Sequence, residues 1–368
     1  MKTQLKSHTV DNPENPMQLD GFEFVEFSSP DSEALDNLFK QLGMTKVAQH
    51  KSKDIALYRQ NEINFLLNNV KNSQAEDFSK RHGPCACSMA FRVKDAKAAY
   101  ERAIKLGAKP CASNDLNQFA IEGIGGSLLY LIDQYTADNN LYENDFNFLP
   151  GVDKCPKGNG LKLIDHLTHN VYKGEMDRWA NFYYKIFNFF EIRFFDIEGE
   201  MTGLTSRALS SPCGKIKIPL NQSKDDVSQI EEYLKEYKGE GIQHIALTTD
   251  DIYTTVEDLR KNNLEFLTVP DTYYEVVNQR IPGHNEDLEK MRENKLLIDG
   301  SIESKEGLLL QIFTQNVIGP IFFEIIQRKG NDGFGEGNFT ALFESIERDQ
   351  IRRGVIGQNT ENENKEEV

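Results

Sequence analysis

The stretch His244-Ile-Ala-Leu-Thr-Thr-Asp-Asp251-Ile-Tyr-Thr-Thr-Val-Glu-Asp-Leu-Arg-Lys261 decides the fold, because the chain contains its pattern twice. Laid on Ser88-Met-Ala-Phe-Arg-Val-Lys-Asp95-Ala-Lys-Ala-Ala-Tyr-Glu-Arg-Ala-Ile-Lys105, it needs no gap. Each copy reads as a short apolar strand, an Asp suited to cap a helix, and an amphipathic helix. A second pair of segments repeats the design. Phe22-Glu-Phe-Val-Glu-Phe27, Ser29-Pro30-Asp31 and then Leu35, Leu38, Phe39 and Leu42 at helical spacing form one member. The other is His166-Leu-Thr-His-Asn-Val171 followed by Trp179, Phe182, Tyr183, Ile186 and Phe187. Gly126-Ser-Leu-Leu-Tyr130 answers to Gly319-Pro-Ile-Phe-Phe-Glu324 with one position of slack. Between these markers, runs such as Asp54-Ile-Ala-Leu-Tyr58 and Glu62-Ile-Asn-Phe-Leu-Leu67 have strand patterning. The two halves are therefore expected to be copies, each built of strand–helix–strand–strand units whose sheets curl around a cavity.

Working outward, residues 1–18 and 354–368 are polar and charged and are expected to be disordered tails. Residues 136–160 carry Pro150-Gly151, Pro156 and Gly158-Asn-Gly160 and read as a linker. That leaves an N-terminal domain over 19–135 and a C-terminal domain over 161–353, in a chain long enough for two real cores. A net charge of −16 with no basic patch argues against nucleic-acid or anionic-membrane partners. No run approaches the ~18 apolar residues of a membrane span, and Met1-Lys-Thr-Gln lacks a signal peptide's apolar core, so a cytoplasmic location is expected. The five cysteines are odd in number, and Cys85-Ala-Cys87 has no companion pair. Free thiols in a reducing compartment are the expected state.

Chemistry enters with His166, His244 and Glu324, each set inside a strand-like run. The runs are Leu161-Lys-Leu-Ile-Asp-His-Leu-Thr-His-Asn-Val171, Ile242-Gln-His-Ile-Ala-Leu-Thr248 and Ile321-Phe-Phe-Glu-Ile-Ile-Gln327. They lie far apart in the chain, so no local turn explains them. A lone strand histidine usually just packs, but two at the start of equivalent repeat units, with a carboxylate on the last strand, form a set. Two imidazoles and one carboxylate hold Fe(II) while leaving positions open. An unpaired Glu324 among Phe322, Phe323, Ile325 and Ile326 would be costly to bury; a metal is one answer, and Arg328 or a backbone donor is another. In the first half Phe22 and Ser88 stand where the histidines should be, and Tyr130 stands near the place of Glu324. That half is expected to be structural. His169, three residues beyond His166, should face the other side of its strand. The glycine-rich run Lys329–Phe339 lacks the Lys-Ser/Thr ending of a phosphate loop and carries Asp332 and Glu336, which would repel phosphate. It reads as a flexible entry to a helix over 339–352, whose stripe of Phe339, Leu342, Phe343 and Ile346 could lid a pocket.

Across residues 21–353 the chain resembles the 4-hydroxyphenylpyruvate dioxygenase family of the vicinal-oxygen-chelate superfamily. The segments that carry the resemblance include Asp165-His-Leu-Thr-His-Asn-Val171, Ser206-Arg-Ala-Leu-Ser-Ser-Pro-Cys-Gly-Lys215 and Ile218-Pro-Leu-Asn221. Gly241-Ile-Gln-His-Ile-Ala246, Gly307-Leu-Leu-Leu-Gln-Ile-Phe313, Phe322-Phe-Glu-Ile-Ile-Gln-Arg328 and Gly333-Phe-Gly-Glu-Gly-Asn-Phe339 continue it. The resemblance implies an α+β fold of two vicinal-oxygen-chelate domains, each of repeated βαβββ modules forming an open barrel, with a C-terminal lid helix. It implies that His166, His244 and Glu324 hold one Fe(II) per chain. It implies that Ser206, Asn221, Gln243, Gln311 and Asn338 are polar substrate-binding residues, and that Phe313, Phe322, Phe334 and Phe339 form an aromatic wall. The implied reaction converts 4-hydroxyphenylpyruvate and O2 to homogentisate and CO2 in tyrosine and phenylalanine catabolism, by a homodimer or homotetramer. Two rival expectations remain: 4-hydroxymandelate synthesis from the same substrate, and a non-catalytic small-molecule-binding protein of the same superfamily.

Overall fold

The computed structural model describes residues 2–7, 11, 13–111, 114–198, 203–338, 340–342 and 352. In chain order the first strands are β1 (Lys2–Ser7), β2 (Phe22–Ser28), β3 (Thr45–His50), β4 (Ile55–Gln60), β5 (Ile63–Asn68) and β6 (Cys85–Arg92). They continue with β7 (Ala120–Glu122), β8 (Leu128–Ile132), β9 (Phe146–Phe148), β10 (Leu161–Val171), β11 (Phe190–Glu198) and β12 (Gly203–Ser210). The last are β13 (Lys217–Ser223), β14 (Gly241–Thr249), β15 (Leu297–Ser301), β16 (Gly307–Phe313) and β17 (Phe322–Lys329).

Two mixed sheets result. One runs β7-β8-β6-β2-β5-β4-β3-β9, the other β15-β16-β17-β14-β10-β13-β12-β11-β1. Apart from the extra β15 the two orders superimpose, and so do the strand directions. β2 is parallel to β5 and antiparallel to β6, as β10 is to β13 and β14; β6 is parallel to β8, as β14 is to β17. The expected α+β architecture of repeated units is the one observed.

Helices cross over between the strands as the capping residues require. Asp31, Asp95 and Asp251 precede the helices Ser32–Gln41, Ala96–Lys105 and Ile252–Lys261. Each carboxylate accepts from the backbone N–H three residues on, of Ala34, Ala98 and Thr254. The apolar faces of these helices and of Met176–Phe187 bury Leu38, Phe39, Ala99, Trp179, Phe187 and Val256 in one large core. That core also takes Val25 and Phe65 from the first sheet and Leu167, Ile245 and Phe323 from the second. Phe65 stacks on Phe323 with ring centroids 5.9 Å apart and so joins the two sheets. A second core is confined to the first half and contains Phe24, Leu57, Leu66, Tyr130, Tyr142 and Phe146. Side chains alternate along a strand, so it covers the other face of the first sheet. The corresponding face of the second sheet carries His166, His244 and Glu324.

Three expectations change. The counterpart of His166 is Phe24 rather than Phe22, because Phe24 pairs with Ala90 where His166 pairs with Ala246. Irregular pairing between Phe22 and Phe24, and again between Ile164 and His166, shifts a count made from the strand starts. Ser88 and Tyr130 do correspond to His244 and Glu324, since Ala90 pairs with Tyr130 as Ala246 does with Glu324. The expected tail 1–18 contains β1, which adds an edge to the second sheet against β11, and Met17, which is buried. An edge strand needs only backbone hydrogen bonds, so its composition conceals it. The expected linker 136–160 contains the helix Leu141–Asp145 and β9, and its Leu141, Tyr142 and Phe146 join the second core.

Most of the helix expected over 339–352, with Phe339, Phe343 and Ile346, lies outside the described residues, as does the expected tail 354–368. Ala341 and Leu342 are described and pack against the large core. Among the described residues, no helix is long and apolar enough to cross a membrane.

Candidate metal centre

β10, β14 and β17 are adjacent, and their register builds the site. His166, Ala246 and Glu324 lie in one row across the three strands. His244 sits two residues from Ala246 on the same face, paired with Thr168. The methyl group of Ala246 leaves room for its two long neighbours to meet above it. His166 Nε2 lies 3.3 Å from His244 Nε2 and 3.2 Å from Glu324 Oε2, and His244 Nε2 lies 3.4 Å from Glu324 Oε2. The triangle is nearly equilateral. Ligands at about 2.1 Å in an octahedral array stand about 3 Å apart, so one face of such an array fits these atoms. They form the one group of three potential metal-ligating side chains found among the described residues.

Each ligand is oriented by a neighbour. His166 Nδ1 donates to Asp165 Oδ1 at 2.8 Å, and His244 Nδ1 donates to Gln243 Oε1 at 3.0 Å. In both modules the residue just before the histidine thus holds Nδ1 and leaves Nε2 for the site, a tautomer choice that metal ligation requires. Glu324 Oε1 accepts from Gln311 Nε2 at 2.8 Å, which turns Oε2 toward the imidazoles. Gln311 Oε1 in turn accepts from Asn338 Nδ2, and Asn338 Oδ1 from the Tyr273 hydroxyl. Gly335 has φ +78°, and a Cβ there would fall 1.7 Å from Gln311 Oε1, so only glycine lets this chain of amides close.

Burial alone would raise the Glu324 carboxyl, but the two imidazoles beside it, His166 above all, outweigh burial and hold the group at about 2, ionised at neutral pH. Burial lowers His244, which favours the neutral, ligating form. Burial also acts to lower His166, but its hydrogen bonds to Asp165 and Glu324 prevail and raise it. A metal must displace that proton on binding.

Aromatic rings surround the triangle. Phe322 stacks on His244 at 4.9 Å, Phe313 meets the same ring edge-on at 6.4 Å, and Phe334 meets His166 edge-on at 5.2 Å. Ser206 and Asn221 face one another across β12 and β13, further along the same sheet. Of the other residues expected to be substrate contacts, Gln243 and Gln311 hydrogen-bond His244 and Glu324, and Asn338 hydrogen-bonds Gln311. Phe339 lies outside the described residues. His169 points away from the site, as alternation requires: its Nε2 is 2.8 Å from the Tyr183 hydroxyl, and burial lowers it to about 3. Cys85 and Cys87 are buried free thiols.

Sequence reasoning missed three groups. Asp165 and Arg328 form a bidentate pair beside His166, at 2.8 and 2.7 Å, so Arg328 neutralises Asp165 and not Glu324. Asn170 follows Thr168 by two residues on the ligand face of β10 and pairs in register with Asn221. It is fully buried, and neither of its amide atoms has a hydrogen-bond partner among the described residues. Polar residues at alternate positions of an apolar strand, His166, Thr168 and Asn170, were the available signal. The glycine-rich run, expected as a flexible entry, is pinned where Arg328 Nη1 donates to the carbonyls of Asn331 and Gly333.

The chain is similar to proteins of known kind. The family description "Hydroxyphenylpyruvate dioxygenase, HPPD, N-terminal" matches residues 13–147, and "Glyoxalase/Bleomycin resistance protein/Dioxygenase superfamily" matches residues 163–279. A 4-hydroxyphenylpyruvate dioxygenase of Pseudomonas aeruginosa is 58% identical over 349 residues, covering 93% of this chain and 97% of that protein. One of Legionella pneumophila (strain Corby) is 58% identical over 347 residues, covering 93% and 98%. A solved xylose isomerase-like TIM barrel/4-hydroxyphenylpyruvate dioxygenase fusion protein matches with a TM-score of 0.78 and 33% identity, covering 92% of this chain and 54% of that one.

Proposed function

The chain belongs to the 4-hydroxyphenylpyruvate dioxygenase family, and we propose that His166, His244 and Glu324 hold one Fe(II) per chain at which it carries out that family's reaction. The observation that carries the reading is the convergence of two imidazole Nε2 atoms and one ionised carboxylate oxygen on a single point. Held by these three side chains, Fe(II) would supply the redox chemistry for decarboxylation of the 2-oxo acid and ring hydroxylation with O2.

The protein's own part is to hold, orient and dry. Asp165 and Gln243 fix both imidazoles with Nε2 inward. Gln311 and Asn338 aim the carboxylate and so act on the ligands rather than on the substrate. Phe313, Phe322 and Phe334 exclude water and offer ring edges and faces to the aromatic substrate. Ser206 and Asn221 hydrogen-bond its polar ends. Asn170 adds an amide whose burial without a partner costs about 1–3 kcal/mol until a ligand satisfies it. The products are homogentisate and CO2. Cytoplasmic residence and assembly as a homodimer or homotetramer belong to the same reading.

The test is product analysis. Full-length protein loaded anaerobically with Fe(II) and then given 4-hydroxyphenylpyruvate and air is expected to yield homogentisate and CO2 in equal amounts. Formation of 4-hydroxymandelate, or binding without oxygen uptake, overturns the reading.

A further inference from the structure

Arg328 stands four residues beyond Glu324 on β17, and strand alternation puts both on the same face. Its guanidinium touches three things at once. Nε and Nη2 grip Asp165 through Oδ2 at 2.8 Å and Oδ1 at 2.7 Å, and Asp165 Oδ1 also accepts from His166 Nδ1. Nη1 donates to the carbonyl oxygens of Asn331 at 2.9 Å and Gly333 at 2.7 Å, and so shapes the turn that presents Phe334. The guanidinium carbon lies over the Phe334 ring at 5.8 Å, and that ring packs edge-on against His166 at 5.2 Å. The contacts close a loop: imidazole, carboxylate, guanidinium, phenyl ring, imidazole.

Resting on the metal reading above, we propose that Arg328 and Asp165 are positioning residues that form a strut between a metal ligand and the aromatic wall, so that the orientation of His166 and the seating of Phe334 are set together. Asp165 cannot turn toward solvent: its side chain is 7% exposed and both oxygens are held in a two-toothed grip. A carboxylate so fixed orients the imidazole ring and strengthens it as a donor. His244 has the neutral amide of Gln243 at Nδ1 and the Thr168 hydroxyl at Nε2, and among the described residues no charged group clamps it as Arg328 clamps Asp165. The two histidines are therefore unequal. His166 is the rigid, strongly donating ligand, and it alone is tied to the segment that leads from β17 into the C-terminal residues.

The strut makes two separable demands on Arg328. Orienting His166 needs a positive charge against Asp165. Seating Phe334 needs a planar fork that reaches two carbonyls and the ring as well, which an ammonium cannot do. Metal affinity reads the first demand and KM for the substrate reads the second.

Metal-free full-length protein is titrated anaerobically with Fe(II) against a competing chelator, for wild type, Arg328→Gln, Arg328→Lys, Asp165→Asn and the double variant Asp165→Asn/Arg328→Gln. Arg328→Gln and Asp165→Asn are expected to weaken Fe(II) binding roughly 10–100-fold. Arg328→Lys recovers most of that affinity but keeps a raised KM for 4-hydroxyphenylpyruvate. The double variant loses no more than the worse single one, because the pair acts as a unit. Should a single variant fail to fold, the double variant, which leaves no unpaired buried charge, carries the measurement. Fe(II) affinity within twofold of wild type in folded Arg328→Gln or in the double variant defeats the strut. Equal recovery of affinity and KM by Arg328→Lys defeats the coupling to Phe334. A wild-type chain that binds Fe(II) but forms no homogentisate defeats the proposed function and leaves the affinity comparison standing.

Discussion

The two sheets are built alike and used differently. Phe24, Ser88 and Tyr130 in the first occupy the register positions of His166, His244 and Glu324 in the second. Around them the first half packs Leu116 from a loop and Tyr142 and Phe146 from the segment before β10, in one apolar cluster of buried residues. Beside Ser88, Glu26 takes the place of Thr168. Glu26 is buried and accepts from Ser88 Oγ at 2.5 Å and from Asn68 Nδ2 at 2.8 Å. In the second half the equivalent face carries imidazoles, amides and phenylalanines. A barrel face can thus serve as core or as reaction chamber according to three side chains and what lies over them.

That contrast predicts unequal responses to mutation. The largest effect is expected for Glu324→Ala and His166→Ala, which should abolish Fe(II) binding and lower kcat/KM by about a thousandfold or more, some 4 kcal/mol of lost transition-state stabilisation. Metal analysis together with turnover checks it, and either variant retaining one tightly bound Fe(II) would break the comparison. Next comes Tyr130→Ala at the mirrored position. It should cost about 3–5 kcal/mol of stability in urea unfolding while leaving Fe(II) stoichiometry at one per chain, because this site is core. Loss of metal with unchanged stability would reverse the assignment of roles.

The smallest effect concerns Glu26. Burial, only partly opposed by Ser88 and Asn68, with Asp115 adding to it and Lys53 opposing it, raises this carboxyl from 4.5 to about 7. Folding therefore takes up a proton between pH 4.5 and 7: the contribution is full below the unfolded value and declines as pH rises toward the folded one. The loss is on the order of 3 kcal/mol. Glu26→Gln can accept from Asn68 through its oxygen and donate its N–H to Ser88 Oγ, removes the titration, and should flatten the stability profile across that window. A profile with the same slope in the variant would place the titration elsewhere.

Much of this was legible before any coordinates. The gapless match of Ser88–Lys105 with His244–Lys261 and the Asp caps follow from local rules, because capping and amphipathicity are decided within a few residues. The ligand triad was legible for a different reason: ionisable groups inside apolar runs are too costly to be accidental. Asp165 with Arg328 was not, since the partners are 163 residues apart and each looks like an ordinary charge. Nor was the exchange of Phe22 for Phe24, because bulges shift pairing without leaving a mark on the polar–apolar pattern.

By itself the sequence determined the repeated units, the donor types and the half of the chain that carries them, since each is written in residue identity and period. The tertiary structure alone decided the rest: which nitrogen of each histidine faces the site, which amides serve the ligands, which carboxylate Arg328 neutralises, and that an apolar cluster covers the matching face of the first sheet. Those depend on strand register and on contacts between distant segments, and a period of two tells which face a side chain takes but not whom it meets there.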